Sequence, residues 1–466
     1  MHKPLFMAAL LATSFGAQAA SDADLAAIRA QIDELKKVYE QRIAALEQKL
    51  VQAEARPVVQ AIRSEPPENR PQARSTASSF NPEVSLILQG RYKNMKELAG
   101  RGISGFVAAG GHDHGGIDSS NKRGFSVDHT ELLLSANVDP YWRGQAIIAA
   151  VDGSAEVEEA WFQSLGLGMG LGLKGGRLRS GIGYLNEQHP HAWDFADAPL
   201  MYQALFGSEG SYTQDGLQVK WLAPTPVFLE FGAEVGRGAT FPGSERNKNG
   251  SGAGALFAHV GDDLGDAHHW RAGVSWLKTA ARNREAHFTD QGGLEALGKF
   301  SGDSSTVIAD FVWKWAPNGN PQYSNFKFQS EYFMRREKGE LNCSDDELAG
   351  NLCDPGAAGA SVTSNYRTRQ SGWYAQGVYQ FNPNWRAGAR YEQLDSGTRD
   401  FGINAANLVV DSAKPQKTTL MVDYSWSEFA RLRLQYAQDK SMQGLTDNQF
   451  TLQYIMSLGA HGAHKF

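Results

Sequence analysis

From Phe80 onward, apolar and polar side chains alternate with a period of two. VSLILQGRY sets Val84, Leu86, Leu88 and Tyr92 on one face. VFLEFGAEV separates Val227, Leu229, Phe231, Ala233 and Val235 from Glu230 and Glu234, and TVIADFVWKW separates Val307, Phe311, Trp313 and Trp315 from Asp310 and Lys314. NWRAGARYEQ and ARLRLQY repeat the pattern, with Trp385, Tyr391, Leu432 and Leu434 opposite Arg386, Arg390, Arg431 and Arg433. Each run reads as a strand with one oily and one wet face. Sixteen such runs follow one another, from 84–93 to 446–458. The alternation breaks at EVEEAWFQ, within the strand expected at 155–167. Tight turns such as APTP, APNGNP and NPN join strand pairs, and longer polar loops are expected at 94–124, 181–213, 238–252, 280–303, 337–369 and 396–414. Short turns at one end and long loops at the other are the habit of an all-β transmembrane barrel, about sixteen antiparallel strands in this case.

Ahead of the strands the period changes. Leu25, Ile28, Ile32, Leu35 and Tyr39 step by three and four, the seam of a short N-terminal α-helical coiled coil. A single solvated helix is the alternative. A stretch carrying Pro57, Pro66, Pro67 and Pro71 follows, suited to an extended linker. The first residues carry Lys3, an apolar run and Ala17-Gln18-Ala19, as in a secretory signal peptide. The expected organisation is a signal peptide at 1–20, a periplasmic coiled coil at 21–54, a linker at 55–80 and a barrel at 81–466.

Composition sharpens this reading. The chain has 466 residues, of which 41% are hydrophobic, and the barrel segment contains no unbroken apolar run long enough for a spanning helix. A net charge of −6 speaks against a nucleic-acid partner. Fifty glycines and eleven tryptophans suit many short strands. Trp142, Trp221, Trp270, Trp276, Trp315, Trp385 and Trp426 lie near strand ends, where interfacial girdles sit. The expected location is the bacterial outer membrane, in contact with the lipid bilayer and lipopolysaccharide.

The first strand FNPEVSLILQGRY, the segment EVEEAWFQ, the coiled-coil prelude and the terminal Phe466 resemble the outer-membrane porin superfamily that includes the phosphate-selective porins. GIGYLNEQHPHAWDFADAP at 181–199 and LQYIMSLGAHGAHKF at 452–466 are similar to a narrower subgroup. The resemblance implies a sixteen-stranded homotrimer with a basic constriction, and it extends from Phe80 to Phe466. One departure is the terminus. The bulky alternating run of Leu452, Tyr454, Met456 and Leu458 stops short of Phe466.

The wet faces nominate a pore lining. Arg271, Lys314, Lys327, Arg386, Arg390, Arg431 and Arg433 stand against Glu230, Glu234 and Asp310, a mixed lining with a mild anion preference expected. Small hydrophilic solutes are the expected cargo. Histidines suggest a second function, capture of zinc or a metal chelate at outer loops, through His112, His114, His189, His191 and Asp194. A surface adhesin or anchor is a third possibility. Cys343 and Cys353, ten residues apart in an exported chain, are expected to pair as a disulfide. Catalytic motifs of hydrolase, phosphate-loop and metalloprotease types are absent, so no enzyme and no resident cofactor are expected.

Overall fold

The computed structural model describes residues 82–98, 101–107, 122–151, 154–207, 210–344, 353, 361–410 and 412–459. The signal-peptide, coiled-coil and linker segments, together with His112, His114 and Phe466, lie outside these described residues.

The described chain forms a single antiparallel sheet of seventeen segments, β1–β17, in sequence order. The sheet closes on itself because β1 (Glu83–Asn94) pairs with β17 (Asp447–Gly459) from Ser85 opposite Gly459 to Asn94 opposite Phe450. On its other side β1 pairs with β2 (Gly124–Val127) and then with β3 (Thr130–Asn137). These two are consecutive pieces of one stave, interrupted at Asp128 and His129, so seventeen segments make sixteen staves. Closure leaves no sheet edge, which is what allows strands to cross hydrocarbon.

β4 (Trp142–Val151), β5 (Ser154–Ser164), β6 (Leu171–Arg179), β7 (Thr213–Leu222), β8 (Phe228–Gly236) and β9 (Ala253–Leu264) complete one wall. The other wall is β10 (His268–Thr289), β11 (Glu295–Trp315), β12 (Asn325–Ser344), β13 (Ser361–Asn382), β14 (Trp385–Asp400), β15 (Gln416–Ser427) and β16 (Ala430–Lys440). The predicted alternation is realised: Phe231, Val235, Phe311, Leu434 and Leu452 are exposed on the outer face, while Glu234, Asp310, Arg390 and Arg433 are buried on the inner one. The last stave is formed by the run ending at Leu458, which explains why the apolar alternation stops before Phe466. At the short-turn rim, Trp385, Tyr424, Trp426 and Tyr454 form a continuous aromatic row, with successive ring centroids 4.8–5.9 Å apart.

Three expected loops are shorter than predicted. Much of 280–303 belongs to β10 and β11, which meet at 290–294, while β12 reaches Ser344 and β14 reaches Asp400. Above the lipid belt both faces of a strand meet water or protein, so a period of two no longer marks it. Side-chain packing supports these extensions instead: Phe288, Phe300, Leu341, Tyr366 and Phe401 form a separate apolar cluster. Cys343 and Cys353 join that cluster as the expected disulfide, with Cα atoms 5.5 Å apart.

An outward Val274→Arg substitution is expected to destabilise the barrel by about 2–4 kcal/mol, whereas Phe125→Arg, at the far end of a stave, costs about 0–1 kcal/mol. Denaturant titration of folded protein in lipid vesicles measures both.

Candidate functional site

The longest described connection, residues 180–207 and 210–212 between β6 and β7, folds inward. Its bonding partners establish this, because they come from opposite walls. Gly181 N–H donates to Glu234 on β8 at 2.8 Å, and Gly183 N–H donates to Ser275 on β10 at 3.0 Å. Leu185 N–H donates to Glu331 on β12 at 3.1 Å, and Ala196 N–H donates to Gln435 on β16 at 2.8 Å. Only a segment lying across the lumen reaches all of these.

Local sequence shapes this inner loop. Asn186 closes its base by donating to the Ser180 and Tyr212 carbonyls and accepting from Tyr212 N–H. Pro190 opens a short 3₁₀ turn, Pro190–Ala192, and Pro199 precedes helix α1, Leu200–Phe206. Helix α1 buries Leu200, Met201, Tyr202, Leu205 and Phe206 against Phe257, Leu277, Ile308, Phe333 and Leu394, which point inward from the wall. Each such side chain is worth about 1.5–3 kcal/mol of burial. Gly183 has φ +66°, and a Cβ there would lie 2.5 Å from Glu331 Oε2. No larger residue fits that approach unstrained.

Two aspartates anchor the loop on a basic wall. Asp194 pairs with Lys327 and with Arg386 Nη1 at 3.2 Å, and accepts from Gln376 at 3.2 Å. Asp197 pairs with Lys417 and with Arg390 Nη2 at 2.9 Å, and accepts from Gln435 at 2.9 Å. Arg431 and Arg433 donate to the His191 and Trp193 carbonyls at 2.7 and 2.8 Å, and Arg271 donates to the Gly183 carbonyl at 3.2 Å. Burial alone would raise both aspartates. Lys327 and Arg386 instead hold the Asp194 carboxyl at about 2, and Lys417 and Arg390 hold Asp197 lower still.

The lining residues read from the sequence therefore face the lumen, but most are engaged rather than bare. Lys327, Arg386 and Arg390 hold loop carboxylates, and Arg271, Arg431 and Arg433 hold loop carbonyls. Glu234 receives the loop's entry. Glu230 pairs with Lys220 at 3.7 Å and with His259 at 3.1 Å. Asp310 is buried on the inner face, and Lys314 stands opposite Lys327 in the ladder. Lys417 and Asp197 escaped the sequence reading: one begins a strand and the other belongs to a loop that gives no sign of direction.

The metal candidates separate. His189 and His191 lie inside the lumen on the inner loop rather than at the outer rim, with rings stacked 5.7 Å apart. Asp194 is not with them, because Lys327 and Arg386 occupy its oxygens. The acids beside the two histidines are Glu131 on β3 and Glu158 and Glu159 on β5, joined by His129. Burial opposes a charged ring at both loop histidines. Contacts with Glu131 and Glu159 overcome it at His189, whose pKa rises, whereas burial prevails at His191, whose pKa falls. The signal for this group was the broken alternation at EVEEAWFQ. In the register Ile147 faces Glu159 while Ile148 faces Val157, so Glu158 is an inserted bulge residue.

A closed cylinder with an apolar outer face, an aromatic rim and a charged interior defines a bacterial outer-membrane β-barrel protein. The chain belongs to the same family as an uncharacterized protein of Aquifex aeolicus (strain VF5), with which it shares 32% identity over 421 residues, 83% of this chain and 80% of that one. No family model matches the chain. Among solved structures it is similar to a loop-L8 deletion of OmpT, an outer membrane protein of Vibrio cholerae, with 13% identity, 82% of this chain and 100% of that chain covered and a TM-score of 0.48. It is also similar to the outer membrane channel DcaP of Acinetobacter baumannii, with 13% identity, coverage of 81% and 97% and a TM-score of 0.44. An anion-selective porin from Comamonas acidovorans gives 10% identity, coverage of 82% and 100% and a TM-score of 0.41.

Asp194→Asn combined with Asp197→Asn removes the ion pair of buried Lys327 and leaves Arg386, Arg390 and Lys417 only Asp423, Glu392 and Asp439, and is expected to weaken loop docking by about 3–5 kcal/mol. Faster hydrogen exchange across 187–205 in the double variant checks this. Because the Asp194 pKa is lowered on folding, its contribution is complete above the ordinary value of 3.8 and is lost as pH falls toward about 2. The difference in hydrogen exchange of this segment between the parent and Asp194→Asn is therefore expected to be constant from pH 7 to 5, where both carry the same histidine titrations, and to shrink only below about pH 4.

Proposed function

We propose that the protein is a porin, a passive channel for small hydrophilic solutes with no catalytic step, whose bore is narrowed by the inner loop. The observation that carries this reading is the lumen itself: a closed cylinder lined by charged and amide side chains and crossed by the folded loop between β6 and β7. Sixteen staves enclose enough width for an aqueous path. A loop held at its base and across the middle reduces that width. Arg386, Arg390, Arg431 and Arg433 on β14 and β16, with Lys327 and Lys417, support a mild preference for anions. Asp194, Asp197, Glu392 and Asp423 offset most of this charge, so a strong preference is not expected. Assembly as a homotrimer, supported by the N-terminal heptad pattern, is part of the same reading.

Planar-bilayer recording of the purified full chain tests the proposal. Discrete conductance steps are expected, with a salt-gradient reversal potential displaced modestly toward the anion. Asp194→Asn/Asp197→Asn should give larger or noisier steps, because the loop is freed. Absence of steps from correctly folded protein would overturn the channel reading, and clear cation selectivity would overturn the anion preference alone.

A further inference from the structure

His129, Glu131 and Glu158 offer ligand atoms that lie within 4.8 Å of one another, the spacing of a metal site, and His189 adds a nitrogen beside both carboxylates. His129 Nε2 lies 3.1 Å from Glu158 Oε2 and 3.6 Å from Glu131 Oε1. His189 Nδ1 lies 3.3 Å from Glu131 Oε2 and 3.5 Å from Glu158 Oε2. Two ligands sharing a tetrahedral ion at bond lengths of about 2.0–2.1 Å stand about 3.3 Å apart. Both histidines fall close to that value from Glu158 Oε2, and each lies near it from a different oxygen of Glu131. His189 Nδ1 is buried and makes no hydrogen bond to either neighbouring carboxylate.

The surroundings are those of a supported ligand set. His191 Nδ1 meets Glu131 Oε1 at 3.0 Å, and Arg179 pairs with Glu158. Outer partners of this kind fix the orientation of ligands. Charge points the same way. With neutral imidazoles, the carboxylates of Glu131, Glu158 and Glu159 and the Arg179 guanidinium sum to two negative charges, which one divalent cation cancels.

Two of the departures from regular sheet lie at this group. The stave formed by β2 and β3 breaks at Asp128 and His129, where Asp128 turns to accept from Gln89 at 2.9 Å and to pair with Arg91 at 3.2 Å. The bulge in β5 adds Glu158 to the inner face. Irregularities of this type recur where a side chain must be re-aimed.

We propose that His129, Glu131, Glu158 and His189 bind one divalent cation of the zinc class, and that this ion staples the inner loop to the barrel wall. Three ligands come from the wall and one from the loop. The site goes beyond the channel reading, since binding requires no knowledge of what the lumen passes.

Titration calorimetry of the full chain in detergent with Zn²⁺ is the test, with Co²⁺ as a spectroscopic probe. One Zn²⁺ per chain and a visible Co²⁺ absorption band of tetrahedral intensity are expected. His191→Ala, which removes only an orienting contact, should weaken binding about 10–100-fold. Glu158→Gln and His189→Gln should weaken it further, with heat-modifiable migration showing that each variant is folded. His112→Ala/His114→Ala should bind as the parent does. Absence of zinc binding by the unaltered chain overturns the proposal, as does binding that survives Glu158→Gln/His189→Gln. Binding abolished by the His112→Ala/His114→Ala pair also overturns it, by moving the site elsewhere. Bilayer current from the same preparation is read separately. Failure of the metal site with steps intact leaves the channel standing, and the reverse result leaves the site standing.

Discussion

Every amide that crosses hydrocarbon as a strand must find its partner on a neighbouring strand, and this chain meets that demand by pairing its first stave with its last. The rest follows from closure. A cylinder has only an outside and an inside, so with lipid against one face every polar side chain is directed to the other. The interior therefore collects charge at a density that a soluble core would not tolerate: Arg335, Arg390 and Arg433 are among the largest fully buried side chains. Buried charges are retained only when paired and hydrogen-bonded.

The inner loop acts as the interior's counter-surface. Its aspartates meet the basic wall on β14 and β15, its amides meet Glu234 and Glu331, and its short helix covers the apolar patch around Phe257 and Phe333. Three different chemistries are matched by one segment. The lumen is accordingly better described as a charged interior packed against a folded insert than as a uniform wet tube. The anchoring is also distributed, so removal of a single contact shifts the loop's equilibrium rather than releasing the segment outright.

Much of the barrel was legible because lipid imposes the simplest rule in protein structure, apolar on every second residue. That rule carried the stave count, the facing of Arg390 and Arg433, and the final strand at Leu452 to Leu458. It failed where lipid stops. The upper parts of β10, β11 and β12 pack against protein, and their inward Phe300 and Leu341 carry no period that separates strand from loop. Inward apolar residues such as Leu277 and Ile308 blurred the pattern for a related reason, since they face the inner loop instead of water. The site was half legible. His189 and His191 were nominated by their spacing, but their acidic neighbours Glu131 and Glu158 come from other staves, and contacts across a lumen leave no trace in local sequence. Asp194 looked like their partner only because it is near them in the chain.

The bulge at Glu158 has a consequence for how the wall tolerates change. Val157 and Phe162 remain outward and Glu159 remains inward on either side of the insertion. Excising Glu158 would restore plain alternation while every other residue of β5 kept its side. The stave does not need this residue to be a stave. It is a spare tooth in the ladder, and a chain that shed it would keep the staves of the cylinder while losing an inward carboxylate and the ion pair of buried Arg179.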